Sequence, residues 1–140
     1  MPEPAIQPHL SVIIPVYNEE ENVPGLGEEL ASVLSGLGRP YEVILVDDGS
    51  TDGSYAAVQE LVHRRPGFKG LRLGRNVGQT AALSAGICHA AGELIVMLDA
   101  DRQNDPADIP TLLAKCDEGF DVVSGWRKDR QDPSLTRVLP

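Results

Sequence analysis

The chain has 140 residues, 41% of them hydrophobic and 24% charged, so it is long enough to form one globular domain with its own core. Twelve lysines and arginines against 21 aspartates and glutamates give a net charge of −9, which excludes a general nucleic-acid binder. No apolar run approaches the roughly 18 residues of a membrane span. Cys88 and Cys116 form no CxxC pattern and indicate neither a disulfide framework nor a zinc site.

The chain opens with an irregular arm, residues 1–9, which carries three prolines. Short apolar runs follow, and most of them do not alternate with polar residues. This pattern is typical of strands that are buried on both faces of a parallel sheet. The predicted strands are Leu10–Ile14, Tyr41–Val46, Leu71–Leu73, Leu94–Leu98 and Val122–Val123.

Four helical patterns lie between and after these runs. The first is an apolar stripe over Val23–Leu37, and the second is a helix that Thr51 or Asp52 could cap. The third, Gln79–Ala91, is rich in alanine, serine and glycine, which predicts close packing against the sheet. The fourth begins near Pro106.

The alternation of strands and helices predicts an α/β fold, an open, mostly parallel twisted sheet with helices on both faces. We expect one such domain over residues 10–126 and a basic loop over residues 127–140. The short last strand and the apolar end at Leu139 predict that the sheet is incomplete and that the chain is part of a longer protein. In such sheets, ligands bind at the carboxyl ends of the strands.

Two aspartates, Asp99 and Asp101, follow the most apolar strand directly. Residues i and i+2 of an extended chain point the same way, so the two carboxylates would repel each other unless a cation lay between them. A hard divalent cation prefers oxygen ligands and often bridges to substrate phosphates, and Gln103 adds an amide oxygen nearby. The alternative is that both aspartates only cap a loop, which is the commoner role of so short a motif.

A second acidic cluster, Asp47–Asp52, follows the second strand. Turn and cap chemistry explains Gly49 and one of the capping residues, but two aspartates that end a buried strand suggest a ligand, because burying carboxylates is costly. The third strand is followed by Asn76–Gln79, a turn that only weakly resembles a phosphate loop. A basic cluster of Arg127, Lys128 and Arg130 is either ordinary surface charge or a clamp for a diphosphate.

Taken together, the strand-end residues closely resemble the inverting family 2 glycosyltransferases of GT-A fold. The segments that carry this resemblance are Leu10–Glu19, Val46–Asp52, Arg75–Gly78 and Leu98–Gln103. Within that family, Asp99–Pro106 and Gly125–Arg130 are similar to the polyprenyl-phosphate sugar transferases. That branch includes dolichol-phosphate mannose synthases and bacterial undecaprenyl-phosphate glycosyltransferases.

The resemblance implies a role for each matching residue. Pro15, Tyr17 and Glu19 would line the nucleoside pocket, Asp48 would accept a hydrogen bond from the base, and Gly78 and Ala100 would complete the nucleotide site. Asp99 and Asp101 would hold the diphosphate through magnesium or manganese, with Gln103 as a further ligand. Arg127 and Arg130 would neutralise phosphates of the donor or acceptor, and Arg127 would act with the two aspartates in catalysis.

The implied reaction moves a sugar, with inversion, from a UDP-sugar or GDP-sugar to a polyprenyl-phosphate lipid at the cytoplasmic face of a membrane. Homo-oligomer formation through the sheet edge is a further expectation.

Three other classes of protein are alternatives to a glycosyltransferase. A receiver domain would carry its acidic pair after the first strand, and a sugar nucleotidyltransferase would carry a glycine-rich loop there, whereas this chain has Pro15–Asn18. The third is a nucleotide-sugar-binding module without turnover, the form expected of a truncated chain that binds nucleoside diphosphate and metal but transfers sugar poorly or not at all.

Overall fold

The computed structural model describes residues 6–125. Its four strands are β1 (Leu10–Val16), β2 (Tyr41–Asp47), β3 (Phe68–Arg72) and β4 (Leu94–Met97). Its helices are α1 (Val23–Ser35), α2 (Ser54–Arg64), α3 (Gln79–His89) and α4 (Ile109–Asp117), the last preceded by a 3₁₀ turn over Pro106–Asp108. The chain divides into two compact units, Met1–Ile109 and Pro110–Pro140, and the sheet with α1 to α3 belongs to the first.

The four strands form one parallel sheet in the order β3-β2-β1-β4. Leu10 of β1 aligns with Tyr41 of β2 on one side and with Leu94 of β4 on the other. The chain therefore builds outward from β1 through β2 to β3, and then returns to the opposite side of β1. This reversal between β1 and β4 opens a crevice at their carboxyl ends, the usual ligand position in such sheets.

Helices lie on both faces of the sheet, as the sequence pattern predicts, but β4 is not buried on both faces: its alternate residues Ile95 and Met97 are 43% and 60% exposed. On one face, Ala82 of α3 packs with Ile13, Ile44 and Val46, and a side chain at Gly86 would overlap Ile13. The small residues of α3 thus bring this helix unusually close to β1 and β2, which confirms the expectation from its composition.

The opposite face carries α1 and α2. A side chain at Gly27 of α1 would overlap Leu61 of α2, so these two helices also approach each other closely. A Cβ at Gly70 of β3 would lie 3.0 Å from Cγ1 of Val58 of α2. Glycines therefore fix the spacing of layers on this side as well.

A buried polar network closes the end of the sheet that lies opposite the crevice. Glu42 is 2% exposed, and its carboxylate accepts hydrogen bonds from Ser11 Oγ (2.6 Å), Lys69 Nζ (2.6 Å) and the Ala91 amide (2.7 Å). Burial alone raises the pKa of Glu42, but the Ala91 amide, Lys69 and Ser11 outweigh it and hold this pKa below its usual value. The network ties β1, β2, β3 and the end of α3 together.

Several expected boundaries differ from the structure. The third strand begins at Phe68, because its ladder with β2 starts there, and α3 ends at His89. The predicted fifth strand is wrong: Val122–Val123 has no ladder partner among residues 6–125, and Val122 is 88% exposed. Two apolar residues alone bury too little surface to define a strand. The expected division at residues 9, 126 and 127 stays a prediction.

Candidate nucleotide-sugar site

A cavity of about 370 Å³ opens at the carboxyl ends of β1 and β4. Its lining residues are Pro15, Val16, Tyr17, Glu19, Asp48, Asn76, Gly78, Gln79, Asp99, Ala100 and Asp101. Every residue that the sequence analysis assigned to a nucleotide site lies in this one cavity, although the residues come from four separate loops. The fold brings them together because the carboxyl ends of parallel strands meet at one edge of the sheet.

Asp48 organises the wall of the cavity that faces α3. It is 3% exposed, and its Oδ1 accepts a hydrogen bond from the Val77 amide at 2.9 Å. Its Oδ2 accepts from the Gly78 amide and from Asn76 Nδ2, each at 3.0 Å. A carboxylate has about four acceptor positions, so three are already used within the protein and about one remains for a ligand.

The neighbouring Asp47 has a different surrounding from Asp48. It is fully buried, its Oδ2 accepts from the Ser50 amide at 3.2 Å, and Nε of Arg72 lies 3.9 Å from the same oxygen. The protein's own groups therefore occupy most acceptor positions of Asp48, whereas Oδ1 of Asp47 is buried without a hydrogen-bond partner among the described residues. Of the two, only Asp48 lines the cavity.

Asp99 and Asp101 stand on the opposite wall, in the loop after β4. Ala100 between them is 4% exposed, and this buried side chain anchors the loop. Asp99 Oδ1 accepts a hydrogen bond from Gln79 Nε2 at 2.9 Å, and Asp101 Oδ1 accepts from the amide of Gln103 at 3.1 Å. Both aspartates border the same space, as their spacing predicts.

Two carboxylates are a donor set that suits a divalent cation only where other ligands complete its coordination. Within residues 6–125, no group of three or more histidine, cysteine, aspartate or glutamate side chains is placed to hold a metal on its own. Magnesium typically takes one or two carboxylates and fills its other positions with waters and substrate phosphates. The donor set of Asp99 and Asp101 is of this kind.

Gln103 does not lie in this cavity. It lines a second one, of about 470 Å³, together with Glu29, Arg102 and other residues of α1 and the loop before α4. The expectation that the Gln103 side chain binds the metal stays a prediction. Arg127, Lys128 and Arg130 lie outside the described residues, so the expected phosphate contacts of Arg127 and Arg130 stay predictions too.

The loops after β1 and β2 interlock beside the cavity. Asn18 takes the left-handed conformation (φ 51°), its amide donates to Ser50 Oγ at 3.0 Å, and its Oδ1 accepts from the Thr51 amide at 2.9 Å. The amide of Glu19 donates to Ser54 Oγ at 2.7 Å. Asparagine tolerates this backbone conformation better than most residues, and its hydrogen bonds to the second loop hold the backbone next to Tyr17.

Glu19 itself is oriented by Asn22, whose Nδ2 donates to Glu19 Oε2 at 2.7 Å. Asp52 contributes from the other loop by accepting a hydrogen bond from the Ser54 amide at 2.9 Å. The Ser54 hydroxyl, together with the amides of Ser54 and Glu20, outweighs partial burial and lowers the pKa of Asp52 below its usual value. Asp52 thus fixes the first turn of α2 from one position before the capping residue, Gly53.

Three cavity residues are not assigned to the site by the sequence pattern: Val16 of β1 and two polar residues, Asn76 and Gln79. The sequence of Asn76–Gln79 predicts a turn and a helix cap, and Gly78 does precede α3 with φ +108°. The missed signal is that both polar side chains flank a glycine at the end of a predicted strand. One of them reaches Asp48 and the other reaches Asp99, so together they link the two walls.

Comparison with known proteins agrees with this geometry. The family model of glycosyl transferase family 2 matches residues 11–140. The mannosyltransferase PcManGT from Pyrobaculum calidifontis, solved with GDP-Man and Mn²⁺, is 30% identical with a TM-score of 0.62; the match covers 82% of this chain and 34% of that one. S. aureus TarS, also solved in complex with UDP-GlcNAc, is 28% identical with a TM-score of 0.61, over 78% of this chain and 32% of that one.

A third structure has the same fold at lower identity. Glucosyl-3-phosphoglycerate synthase from Mycobacterium tuberculosis is 21% identical with a TM-score of 0.61, over 78% of this chain and 39% of that one. The chain therefore spans about a third of the length of the structures that it matches. None of the helices described between residues 6 and 125 is long and apolar enough to cross a membrane. The fold is that of the GT-A glycosyltransferases, and the chain belongs to glycosyl transferase family 2.

Proposed function

We propose that this protein transfers a hexose, with inversion, from a nucleoside diphosphate sugar to a polyprenyl-phosphate lipid, with the help of a divalent metal ion. The observation that carries the donor half of this proposal is the single cavity that Asp48, Asp99 and Asp101 share at the reversal point of the sheet. Family membership supports the type of reaction.

The donor's nucleoside would lie along β1, against Pro15, Tyr17 and Glu19. Tyr17 is 46% exposed and offers a ring face beside the cavity, while the oriented Glu19 carboxylate suits a ribose hydroxyl. Asp48, with about one acceptor position left, suits a single hydrogen bond from a base. Matched proteins were solved with GDP-Man and with UDP-GlcNAc, and both nucleotides are candidates here.

The diphosphate would face Asp99 and Asp101, with magnesium or manganese as the ion that they hold. Such an ion stabilises the negative charge that develops on a departing nucleoside diphosphate. Gln79 keeps Asp99 oriented through its 2.9 Å hydrogen bond, so this carboxylate is preorganised before the donor arrives. Gln103, as a further ligand, belongs to the proposal as well.

The acceptor assignment rests on the likeness of Asp99–Pro106 and Gly125–Arg130 to the polyprenyl-phosphate branch of the family. A lipid phosphate is an anion at neutral pH, so its oxygen attacks the anomeric carbon without a strong general base. The new bond forms as the bond from that carbon to the diphosphate oxygen breaks on the opposite side, which inverts the configuration. Arg127 and Arg130 would balance the phosphate charges, and the reaction would take place at the cytoplasmic face of a membrane.

A transfer assay tests the proposal. The protein is incubated with Mn²⁺, a panel of radiolabelled UDP-hexoses and GDP-hexoses, and a short polyprenyl phosphate, with the matching polyprenol as the acceptor control. Label in the lipid phosphate but not in the polyprenol supports the full proposal. Donor binding without transfer to either lipid favours a nucleotide-sugar-binding module, and absence of donor binding contradicts both.

A further inference from the structure

The loop that carries Asp99 and Asp101 is tied to α1 by the next residue, Arg102. This arginine takes the left-handed backbone conformation, with φ 63°, which L-residues with long side chains rarely adopt. Its guanidinium reaches back to α1 and forms an ion pair with Glu29. A side chain immediately after the acidic pair is thus fixed to a helix outside the cavity.

The guanidinium of Arg102 occupies the space that a side chain would take at a glycine of α1. A Cβ built on Gly25 would lie 2.5 Å from Nη1 of Arg102, closer than real Cβ contacts, and 3.2 Å from Cζ. Gly25 and Glu29 are four residues apart, so they share one face of the helix. The planar guanidinium therefore lies against bare helix backbone at Gly25 while it pairs with the carboxylate one turn later.

This contact is better suited to orienting the loop than to stabilising the fold. The side chains of Arg102 and Glu29 are 38% and 45% exposed, and ion pairs at such exposure contribute little to stability. What the pair does fix is the path of the backbone directly after Asp101, whose carboxylate is already held by the Gln103 amide.

We propose that Arg102 is a positioning residue for the acidic pair: seated on Gly25 and paired with Glu29, it holds Asp101 in the orientation that metal-dependent binding of a nucleoside diphosphate requires. The inference rests on the proposed function of Asp99 and Asp101. It adds three residues, all outside the nucleotide cavity, to the apparatus of that site.

Gly25→Ala tests the proposal, because the atom in the way is the end of a flexible side chain. The new methyl group displaces the guanidinium while the helix keeps its backbone, and alanine is the better helix former. The probes are UDP and GDP, titrated calorimetrically with and without Mn²⁺. The matched control is Gly36→Ala at the end of α1, where a Cβ meets nothing closer than 3.5 Å.

We expect Gly25→Ala to weaken Mn²⁺-dependent nucleotide binding roughly tenfold, the low end of the cost of disturbing a group that orients a metal ligand. Binding without Mn²⁺ and the thermal midpoint should match those of the control. In an Arg102→Ala background, Gly25→Ala should cause no further loss, because its target is already gone.

Unchanged Mn²⁺-dependent binding in Gly25→Ala, or losses from the two substitutions that simply add, would overturn the positioning role. Failure of the proposed function itself is distinguishable. In that case the affinity of the unsubstituted protein for UDP and for GDP would be the same with and without Mn²⁺, or neither nucleotide would bind.

Discussion

Nδ2 of Asn76 lies 3.0 Å from Oδ2 of Asp48 and 3.1 Å from the backbone oxygen of the same residue. The side-chain amide of Asn76 thus donates to both the side chain and the main chain of Asp48, directly after β2. With the amides of Val77 and Gly78, it makes Asp48 the centre of the turn before α3. The shape of this cavity wall therefore depends on a single buried carboxylate.

Asp48→Asn should destabilise the protein by about 1–3 kcal/mol, because an amide nitrogen now faces donors that need an acceptor. Nucleotide affinity should fall roughly tenfold as the turn loses its shape, the equivalent of about one hydrogen bond. Urea denaturation and calorimetric titration with UDP and GDP measure the two effects. Asp121→Asn, at an exposed position, is the control, and an Asp48→Asn variant as stable as this control would disprove the role of Asp48 in the turn.

Gly86→Ala should destabilise the protein by about 1–3 kcal/mol, although alanine favours helix, because its methyl group would overlap Ile13 across the interface between α3 and the sheet. Thermal unfolding measures the loss. Ser84→Ala, on the exposed face of the same helix, gains helix propensity without any overlap and should be neutral or stabilising. Equal effects of the two substitutions would mean that α3 does not lie so close to β1.

Acidification should destabilise the fold through Glu42. Its pKa in the folded protein lies below the unfolded value of 4.5, so the unfolded chain binds the proton more readily. The contribution of Glu42 is therefore fully present above about pH 4.5 and is lost as the pH falls through the lower, folded pKa. Urea midpoints measured between pH 7 and pH 3 follow this loss.

Glu42→Gln isolates this contribution. The variant should be less stable at pH 7 by about 1–3 kcal/mol, because one of the buried donors around position 42 loses its acceptor. Its midpoint should also fall less steeply with acid than that of the unsubstituted protein. Glu60→Gln, at an exposed position of α2, should keep the original pH profile. Parallel acid profiles for Glu42→Gln and the unsubstituted protein would assign the pH dependence to other carboxylates.

Much of the first unit is predictable from local sequence patterns. Apolar runs such as Tyr41–Val46 are buried on both faces, which only a covered parallel sheet provides, and the small residues of α3 do pack tightly on that sheet. The same logic collects Tyr17, Asp48 and Asp99 at one edge, because parallel strands end there together. These features depend on periodicity and topology, which the sequence encodes directly.

Other features depend on contacts between distant residues, which the sequence does not display. The hydrogen bond from Asn76 to Asp48 joins segments that are 28 residues apart. The contact of the Arg102 guanidinium with Gly25 joins segments that are 77 residues apart. The strand predicted at Val122–Val123 is wrong for a related reason. Its composition favours a strand, but no neighbouring strand is placed to pair with it within the described residues. Local propensity is overridden where tertiary partners decide.

We propose that Asp99 and Asp101 bind a nucleoside diphosphate through a divalent ion. Calorimetric titration of UDP and GDP, with and without Mn²⁺, on the unsubstituted protein and on Asp99→Asn and Asp101→Asn tests it most directly. We expect Mn²⁺ to tighten binding only in the unsubstituted protein. The exposed Asp101→Asn variant should stay within about 0.5 kcal/mol of the original stability. Equal Mn²⁺-dependent affinity in all three proteins, or a loss of binding matched by an equal loss of stability, would contradict the claim.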